Sequence, residues 1–293
     1  MKLKLIMESW RSFLKEEEEG YEASQRPVLQ DLLKKEYKDF VASLQQEIKD
    51  PKFQRFLKMG IEKYDGNSAD DEITVEKVEI PVKNLIPTQS QIGLADSLGW
   101  TSKNNPENAG KTAAIGTGVP DVGGPIVTAN GKFIVDGHHR WSQISLLNPE
   151  AKIGAYNFKV GFKGRGGSGK SALKLAHLAI AAVDGAVPLQ PADAATDVYA
   201  TGGDAEAIKK MLDSPRVVGD KMAASLQEAW GLSSRDEVIA KIAEHAISLY
   251  DRTKKPANTG PERGLMPQTG ELSKPEKKMK AMAQGAVNWN PKA

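Results

Sequence analysis

The sequence predicts an α+β fold in which a compact unit of strands and helices lies between two helical regions. Two observations predict it: apolar residues recur every three or four positions near both ends of the chain, and they alternate with charged residues from residue 72 onward. We therefore divide the chain into an N-terminal helical region at 1–66, an α+β domain at 72–163, a glycine linker with a helical region at 164–252, and an extended or disordered tail at 253–293.

The N-terminal region is expected to form three helices. In the stretch "ESWRSFLKEEEEG" (8–20), apolar residues fall on one face at spacings of three and four. Residues 27–50 carry a longer apolar stripe, and Pro27 suits the first turn of a helix. Residues 51–64 give a third helix, and the polar stretch "DGNSADD" then marks the boundary with the next domain.

The central domain begins with "EITVEKVEIPVKNLIP", in which apolar and charged residues alternate as they do along a strand. A short helix is expected at 94–100 and a glycine-rich surface loop at 104–124. The stretch "PIVTANGKFIVDG" has two apolar runs around Asn130-Gly131, which is a strong signal for a β-hairpin. A helix, "HHRWSQISLL", and a strand at 151–162 complete the domain.

The C-terminal part of the chain is expected to be helical and then irregular. Helices are predicted at 204–214, 218–231 and 234–253, and the last has Ser233 or Ser234 as a cap with Glu237 in capping-box position. From residue 253 the chain is rich in Pro, Gly and Lys and poor in apolar residues, so we expect an extended or disordered tail that a partner could order.

The overall composition excludes several kinds of chemistry. Cysteine is absent, which excludes disulfides, thiol chemistry and cysteine zinc sites. The 40 Lys and Arg residues nearly balance 38 Asp and Glu, and a formal net charge of +2 does not require nucleic acid or a membrane as partner. No apolar run is long enough to span a bilayer, and the first residues do not fit a signal peptide. We expect a cytoplasmic protein with no membrane partner.

One motif has the pattern of a nucleotide-binding P-loop. Gly164 to Ser171, "GRGGSGKS", follows a predicted strand and precedes a predicted helix. A P-loop enzyme also needs several parallel strands after the motif, and the sequence predicts helices there. The preferred interpretation is a glycine linker, although Lys170 and the glycine N–H groups would still suit an anion at that helix start.

A second phosphate-binding candidate lies where the hairpin ends. Asp136 and Gly137 close a strand, and His138, His139 and Arg140 open a helix. The first N–H groups of a helix have no partner within it and carry partial positive charge, and glycine leaves room for a phosphate to approach. Arginine offers forked donors, and histidine donates a hydrogen bond or titrates near neutral pH. The same residues also fit a surface turn whose histidines only cap a helix.

The catalytic candidates in this stretch are His138, His139 and Asp136. A metal site is less expected, because adjacent histidines on a helix point about 100° apart. His177 and His245 lie in apolar helical stretches and are expected to be structural.

Three stretches resemble the ParB/sulfiredoxin superfamily and occur in its order: "VEIPVKNLIPTQSQI" (78–92), "GGPIVTANGKFIVDGHHRWSQISLL" (123–147) and "AKIGAYNFKV" (151–160). The resemblance covers residues 72–163, and "DGHHR" looks most like the free-serine-kinase and ParB-like nuclease branches. It implies a small mixed-sheet domain that binds ATP, ADP or CTP, and Mg²⁺ is expected with the nucleotide because phosphoryl transfer usually requires it. The residues implied to contact the phosphates are Gly137, His138, His139 and Arg140.

The chain departs from this superfamily in two places. Sulfiredoxins carry a cysteine in the motif, so sulfinic-acid reduction by that route is excluded here. The serine kinases have a general-base glutamate near the turn after the first strand, where this chain reads "PTQSQ" (87–91). Because an amide cannot take a proton at neutral pH, Asp96 or Asp136 would have to serve as the base. The side chains in this turn that would hydrogen-bond a nucleotide or substrate are Thr88, Gln89 and Ser90.

The leading hypothesis is a nucleotide-binding, ParB/sulfiredoxin-like enzyme with phosphotransferase or nuclease-type phosphodiester chemistry. One alternative is a catalytically inactive scaffold that contacts other subunits through its helices and C-terminal tail. Another is a DNA-binding, partition-like protein that uses Lys and Arg residues at 205–254. The stretch "MESWRSFLKEEEEG" is similar to leaders of tailed-phage proteins, which implies a phage-encoded protein in the host cytoplasm or the virion.

Overall fold

The computed structural model describes residues 25, 27–58, 73–160, 169–189, 196–257 and 260–268. These residues combine helices with one four-stranded sheet of mixed direction, so the predicted mixture of helices and strands is confirmed. The strands are β1 (Ile73–Pro81), β2 (Ile126–Ala129), β3 (Phe133–Asp136) and β4 (Lys152–Val160). The α-helices are α1 (27–34), α2 (Tyr37–Glu47), α3 (Pro51–Lys58), α4 (Trp100–Asn104), α5 (Pro106–Ala114), α6 (His138–Leu147), α7 (Gly169–Asp184), α8 (Ala205–Leu212), α9 (Asp220–Trp230) and α10 (Arg235–Ala257). A π-helical turn spans Ala95–Gly99, and short 3₁₀ turns span Val82–Asn84, Tyr199–Thr201 and Arg263–Leu265.

The sheet has the strand order β1-β4-β2-β3. β4 pairs antiparallel with β1 along its whole length and parallel with β2. β2 and β3 form the predicted hairpin, and Asn130 and Gly131 at its turn have φ values of 52° and 64°. Positive φ at both central residues is what a type I′ hairpin turn requires. Since α6 begins one residue after the edge strand β3, its first turn lies at the edge of the sheet.

The two faces of the sheet contribute to two separate apolar layers. Val127 and Val135 belong to a layer formed with α1, α2, α3 and α7, whereas Ile126 and Ile134 belong to a layer formed with α6 and the helices from α8 to α10. This division follows from the alternation of side chains along a strand. The N-terminal helices therefore share a core with the sheet, and buried contacts cross the boundaries predicted near 66 and 164.

The helix predicted at 27–50 is two helices, α1 and α2. The break lies at Glu36, whose backbone is extended (φ −59°, ψ 157°). At the end of α1, Lys174 of α7 donates hydrogen bonds to the carbonyl oxygens of Leu33 and Lys35, at 2.8 and 2.6 Å. This cap comes from a distant part of the chain, so the local pattern could not predict the break. The helix predicted at 8–20 and the end of the one predicted at 51–64 lie outside the described residues.

The prediction of a surface loop at 104–124 is wrong for the first half of this range. Residues 106–114 form α5, which packs against α9 with Ala109 and Thr112 buried. The contact is close at Gly110, where an added Cβ would lie 2.7 Å from the carbonyl oxygen of Ser225. A glycine in this sequence context is a signal for a loop, but here it allows two helices to approach each other.

The three C-terminal helices are confirmed as α8, α9 and α10, the last of which extends to Ala257. Its capping box forms as predicted, because the N–H of Glu237 donates to Ser234 Oγ at 3.2 Å and Glu237 Oε2 accepts from the N–H of Ser234 at 3.3 Å. The prediction of an extended or disordered tail from residue 253 is wrong for 253–257, which are helical, and for 260–268, which pack on the core with Met266 buried. Residues 269–293 lie outside the described part of the chain.

Candidate functional site

The first turn of α6 depends on an unusual backbone conformation at Gly137. Its φ is +92°, in the left-handed region that glycine adopts without strain. An added Cβ would lie 2.8 Å from Cβ of Ile126 and 3.0 Å from Nη2 of Arg140. Gly137 therefore turns the chain from β3 into α6 and also lets the Arg140 guanidinium lie close against the backbone at the helix start.

α6 is fixed firmly behind this turn. Trp141 is fully buried and its Nε1–H donates to the carbonyl oxygen of Val82 at 2.9 Å. The hydroxyl groups of Ser142 and Ser97 hydrogen-bond each other at 2.6 Å. At the N-terminus, Gly137 offers no side chain to cap the first N–H groups. These N–H groups, with the partial positive charge of the helix end, are therefore presented by a rigid element.

His138 connects α6 to the turn at 86–90. Its Nε2 lies 3.1 Å from the backbone nitrogen of Thr88 and accepts a hydrogen bond from that N–H. Burial, assisted by the positive charges of His139 and Arg263, lowers the pKa of His138 to about 3. The ring is therefore neutral near pH 7, with Nε2 used as an acceptor, and the geometry favours a positioning role over the predicted role as a proton shuttle.

His139 is the more exposed of the two histidines. It is half-buried, and its pKa is lowered by burial and by the positive charge of Arg263, with Asp96 and Asp136 acting in the opposite direction. A neutral imidazole can donate one hydrogen bond and accept another. Of the two predicted histidines, His139 is therefore the one placed to meet a ligand.

A cavity of about 190 Å³ lies against the start of α6. Arg140 is half-buried at this cavity, and within the described residues its guanidinium makes no hydrogen bond or ion pair. A half-buried arginine without an internal counter-ion favours an anion as ligand. The residues that line the cavity are Gln89, Val135, Asp136, Gly137, His138, His139, Arg140, Arg263, Met266, Pro267 and Gln268.

Of the three residues in the turn after β1 that were predicted to contact a ligand, two have structural hydrogen bonds and one lines the cavity. Thr88 Oγ1 donates to the carbonyl oxygen of Ile134 at 2.5 Å, and Ser90 Oγ donates to that of Pro261 at 3.1 Å. Both hydroxyl groups thus hold parts of the fold together. Gln89 lines the cavity, and its Nε2 donates to the carbonyl oxygen of Gln91. Asp136 also lines the cavity, and one of its oxygens accepts from the N–H of Gly137 at 2.6 Å.

Sequence reasoning missed one wall of the site, residues 260–268, which we call the C-terminal segment. Arg263 in this segment pairs with Asp96, with Nη1 and Oδ2 2.5 Å apart, and it borders the same cavity as Arg140. The only local signal in "GPERGLMPQ" is the apolar pair Leu265-Met266 within a polar tail. Such a short apolar pair has no period and does not indicate where it docks.

The P-loop-like motif is only partly described, because residues 161–168 lie outside the described part of the chain. Lys170 forms an exposed ion pair with Glu36 at 3.6 Å, and Gly169 lies against Thr88. The described residues after 171 contain helices and an isolated bridge but no strand that extends the sheet. A P-loop enzyme needs such strands, so the second candidate, at α6, is the better supported of the two.

The other two histidines have structural surroundings, as predicted. His177 is fully buried with Nε2 3.0 Å from the carbonyl oxygen of Leu265, and Nδ1 of His245 lies 2.8 Å from that of Leu146. Within the described ranges, no three His, Asp or Glu side chains are grouped closely enough to hold a metal ion. None of the helices in these ranges has the length and hydropathy needed to cross a membrane.

Comparisons with protein-family models, with curated proteins and with solved structures found no match for this chain. A function must therefore be assigned from the chemistry of the site at α6.

Proposed function

We propose that the protein binds a nucleotide through its phosphates at the start of α6, as a ParB/sulfiredoxin-like protein. The observation that carries the proposal is the half-buried Arg140, whose guanidinium has no internal partner in the described residues and lies close to Gly137 at an uncapped helix start. Helix N–H groups and a guanidinium are complementary to phosphate oxygens in both charge and geometry. The alternative of a plain surface turn gives no reason to leave a half-buried arginine unpaired.

The size of the cavity indicates which part of a nucleotide it would take. A volume of about 190 Å³ is smaller than the roughly 300–1,000 Å³ of sites that enclose a whole small molecule. The cavity therefore suits a phosphate group, with the base and sugar of ATP, ADP or CTP lying outside it. A strong dependence of affinity on the phosphates and a weak dependence on the base are expected.

The residues around the cavity support phosphoryl chemistry of the phosphotransferase or nuclease type. Asp136 is the carboxylate that lines the cavity, so it fits the role of a general base or of a ligand to Mg²⁺, which usually binds one or two carboxylates together with phosphate oxygens. Mg²⁺ would neutralise charge on the phosphates when bound. His139 is placed to hydrogen-bond a phosphoryl oxygen, whereas the amide of Gln89 cannot take up a proton.

Isothermal titration with ATP, ADP and CTP in the presence of Mg²⁺ tests this function. Arg140→Ala should weaken binding at least about tenfold, since hydrogen bonds to charged groups contribute about 1.5–3 kcal/mol. Arg216→Ala is the matched control, because Arg216 is exposed and does not line the cavity, and this variant should bind as the wild type does. Absence of binding to the wild type, or equal binding by Arg140→Ala, would refute the proposal.

An inactive scaffold is the second candidate. It is favoured by the use of three predicted site side chains in internal hydrogen bonds, those of Thr88, Ser90 and His138. Size-exclusion chromatography and nucleotide turnover distinguish the two functions: stable oligomers without turnover favour the scaffold. A DNA-binding role is less supported, because residues 205–254 contain eight basic and eight acidic side chains. Within this range, Arg235 pairs with Asp213 and Arg252 donates to the carbonyl oxygen of Lys83.

A further inference from the structure

The C-terminal segment is anchored to the core on both sides of Arg263. Before it, the carbonyl oxygen of Pro261 accepts hydrogen bonds from the N–H and the hydroxyl of Ser90, at 2.9 and 3.1 Å. After it, the carbonyl oxygen of Leu265 accepts from the hydroxyl of Tyr37 at 3.2 Å and lies 3.0 Å from Nε2 of His177. The segment is therefore a fixed wall of the site.

These anchors place Arg263 at the same cavity as Arg140, although the two residues are far apart in sequence. Both charges act on the same imidazole, because Arg263 and Arg140 each lower the pKa of His139. Asp96 pairs with Arg263, and Nη1 lies 2.5 Å from one carboxylate oxygen. A guanidinium has five N–H donors, so it can serve a structural partner and a ligand at the same time.

We propose that Arg263 is a ligand-binding residue, and that it and Arg140 together hold one terminal phosphate group in this cavity. The proposal rests on the proposed function and deepens it, because it defines the ligand class as a molecule that ends in a phosphate. Asp96 orients Arg263 from outside the cavity lining. Two guanidinium groups around a small volume match the oxygens of a phosphate, which accept bidentate hydrogen bonds from arginine.

A purely structural role for Arg263 makes a different prediction. If Arg263 only anchors the C-terminal segment through Asp96, then loss of either partner breaks the same ion pair and has the same effect on binding. If Arg263 binds the phosphate, then Arg263→Ala removes a ligand contact, whereas Asp96→Asn removes only an orienting carboxylate and a negative charge near the site.

The experiment measures the affinity of the full chain for ADP, and for adenosine as a probe without phosphate, by isothermal titration. Arg263→Ala is expected to lose at least about tenfold in ADP affinity, as for loss of a hydrogen bond to a charged group. Asp96→Asn should stay within about threefold of the wild type, since the pair it removes is a partly exposed one of small energy. Arg263→Lys keeps the charge and should retain part of the affinity, and wild-type protein should bind adenosine far more weakly than ADP.

Thermal unfolding of each variant checks that the fold is kept, and Arg263→Lys serves if Arg263→Ala does not fold. Equal losses in Arg263→Ala and Asp96→Asn would overturn the inference and leave Arg263 as an anchor. Wild-type affinity in Arg263→Ala together with lost affinity in Arg140→Ala would overturn the inference but not the proposed function. A wild type that binds neither ADP nor ATP would overturn both.

Discussion

Replacing His138 by glutamine is expected to make the stability of the fold less dependent on pH. His138 is 5% exposed and its Nε2 accepts a hydrogen bond from the N–H of Thr88, so the folded protein holds the ring neutral. Its pKa is lowered from 6.5 to about 3, first by burial and then by the charges of His139 and Arg263. Between these two values the unfolded chain binds a proton that the folded chain does not. Stability is therefore lost as the pH falls below about 6.5, and the loss continues until about pH 3.

The size of the effect follows from the two pKa values. Each unit of pKa difference corresponds to about 1.4 kcal/mol, so His138 lowers the free energy of unfolding by about 2 kcal/mol between pH 7 and pH 5. Glutamine does not titrate, and its amide oxygen can reach the position of Nε2 to accept the same hydrogen bond. His138→Ala instead leaves the buried N–H of Thr88 unpaired, which costs about 1–3 kcal/mol at any pH.

Urea unfolding of the wild type and His138→Gln at pH 7 and pH 5 measures this contribution. Between pH 7 and pH 5, the free energy of unfolding of the variant should fall by about 2 kcal/mol less than that of the wild type. His177 gives an independent comparison, because burial lowers its pKa to about 4 and His177→Gln should remove a separate contribution of the same sign. An equal loss of stability in the wild type and His138→Gln would refute the assignment of His138 as a buried neutral residue.

Two further predictions concern glycines at close contacts. In urea unfolding, Gly137→Ala should lower the free energy of unfolding by about 1–3 kcal/mol more than Gly116→Ala does. Both glycines have positive φ, but only a Cβ added at Gly137 meets Ile126 and Arg140. Equal effects of the two substitutions would contradict the close packing at the start of α6. Gly110→Ala should lower the thermal unfolding temperature, because the added Cβ meets Ser225 of α9. This is the opposite of what helix propensity alone predicts, since alanine is more favourable than glycine in a helix by about 1 kcal/mol. A stabilised variant would indicate that α5 does not pack closely against α9 at this residue.

The hairpin and the start of α6 are predictable from sequence because their signals are local. Asn130-Gly131 favours the turn through its own backbone preferences, and the alternation of apolar residues on each side fixes the strands. The capping box at Ser234 and Glu237 is local in the same sense. The break between α1 and α2 is not predictable in this way, since the residue that caps α1 is Lys174, far along the chain.

The candidate site could be located from the sequence, but the roles of its residues could not be separated. The adjacent residues His138 and His139 have the same local pattern, and only the packing of α6 against the turn at 86–90 buries the first and leaves the second partly exposed. The contribution of Arg263 depends on docking of a segment through the carbonyl oxygens of Pro261 and Leu265. Backbone acceptors of this kind leave no pattern in the side chains.

The most direct test of phosphate binding at α6 is a crystal structure of the protein grown with ADP and Mg²⁺. We predict density for a phosphate group in contact with the Arg140 guanidinium and the first N–H groups of α6, with Arg263 on the same phosphate. Phosphate density at residues 164–171 alone, or a bound nucleotide that leaves Arg140 without a contact, would contradict the site proposed for this protein.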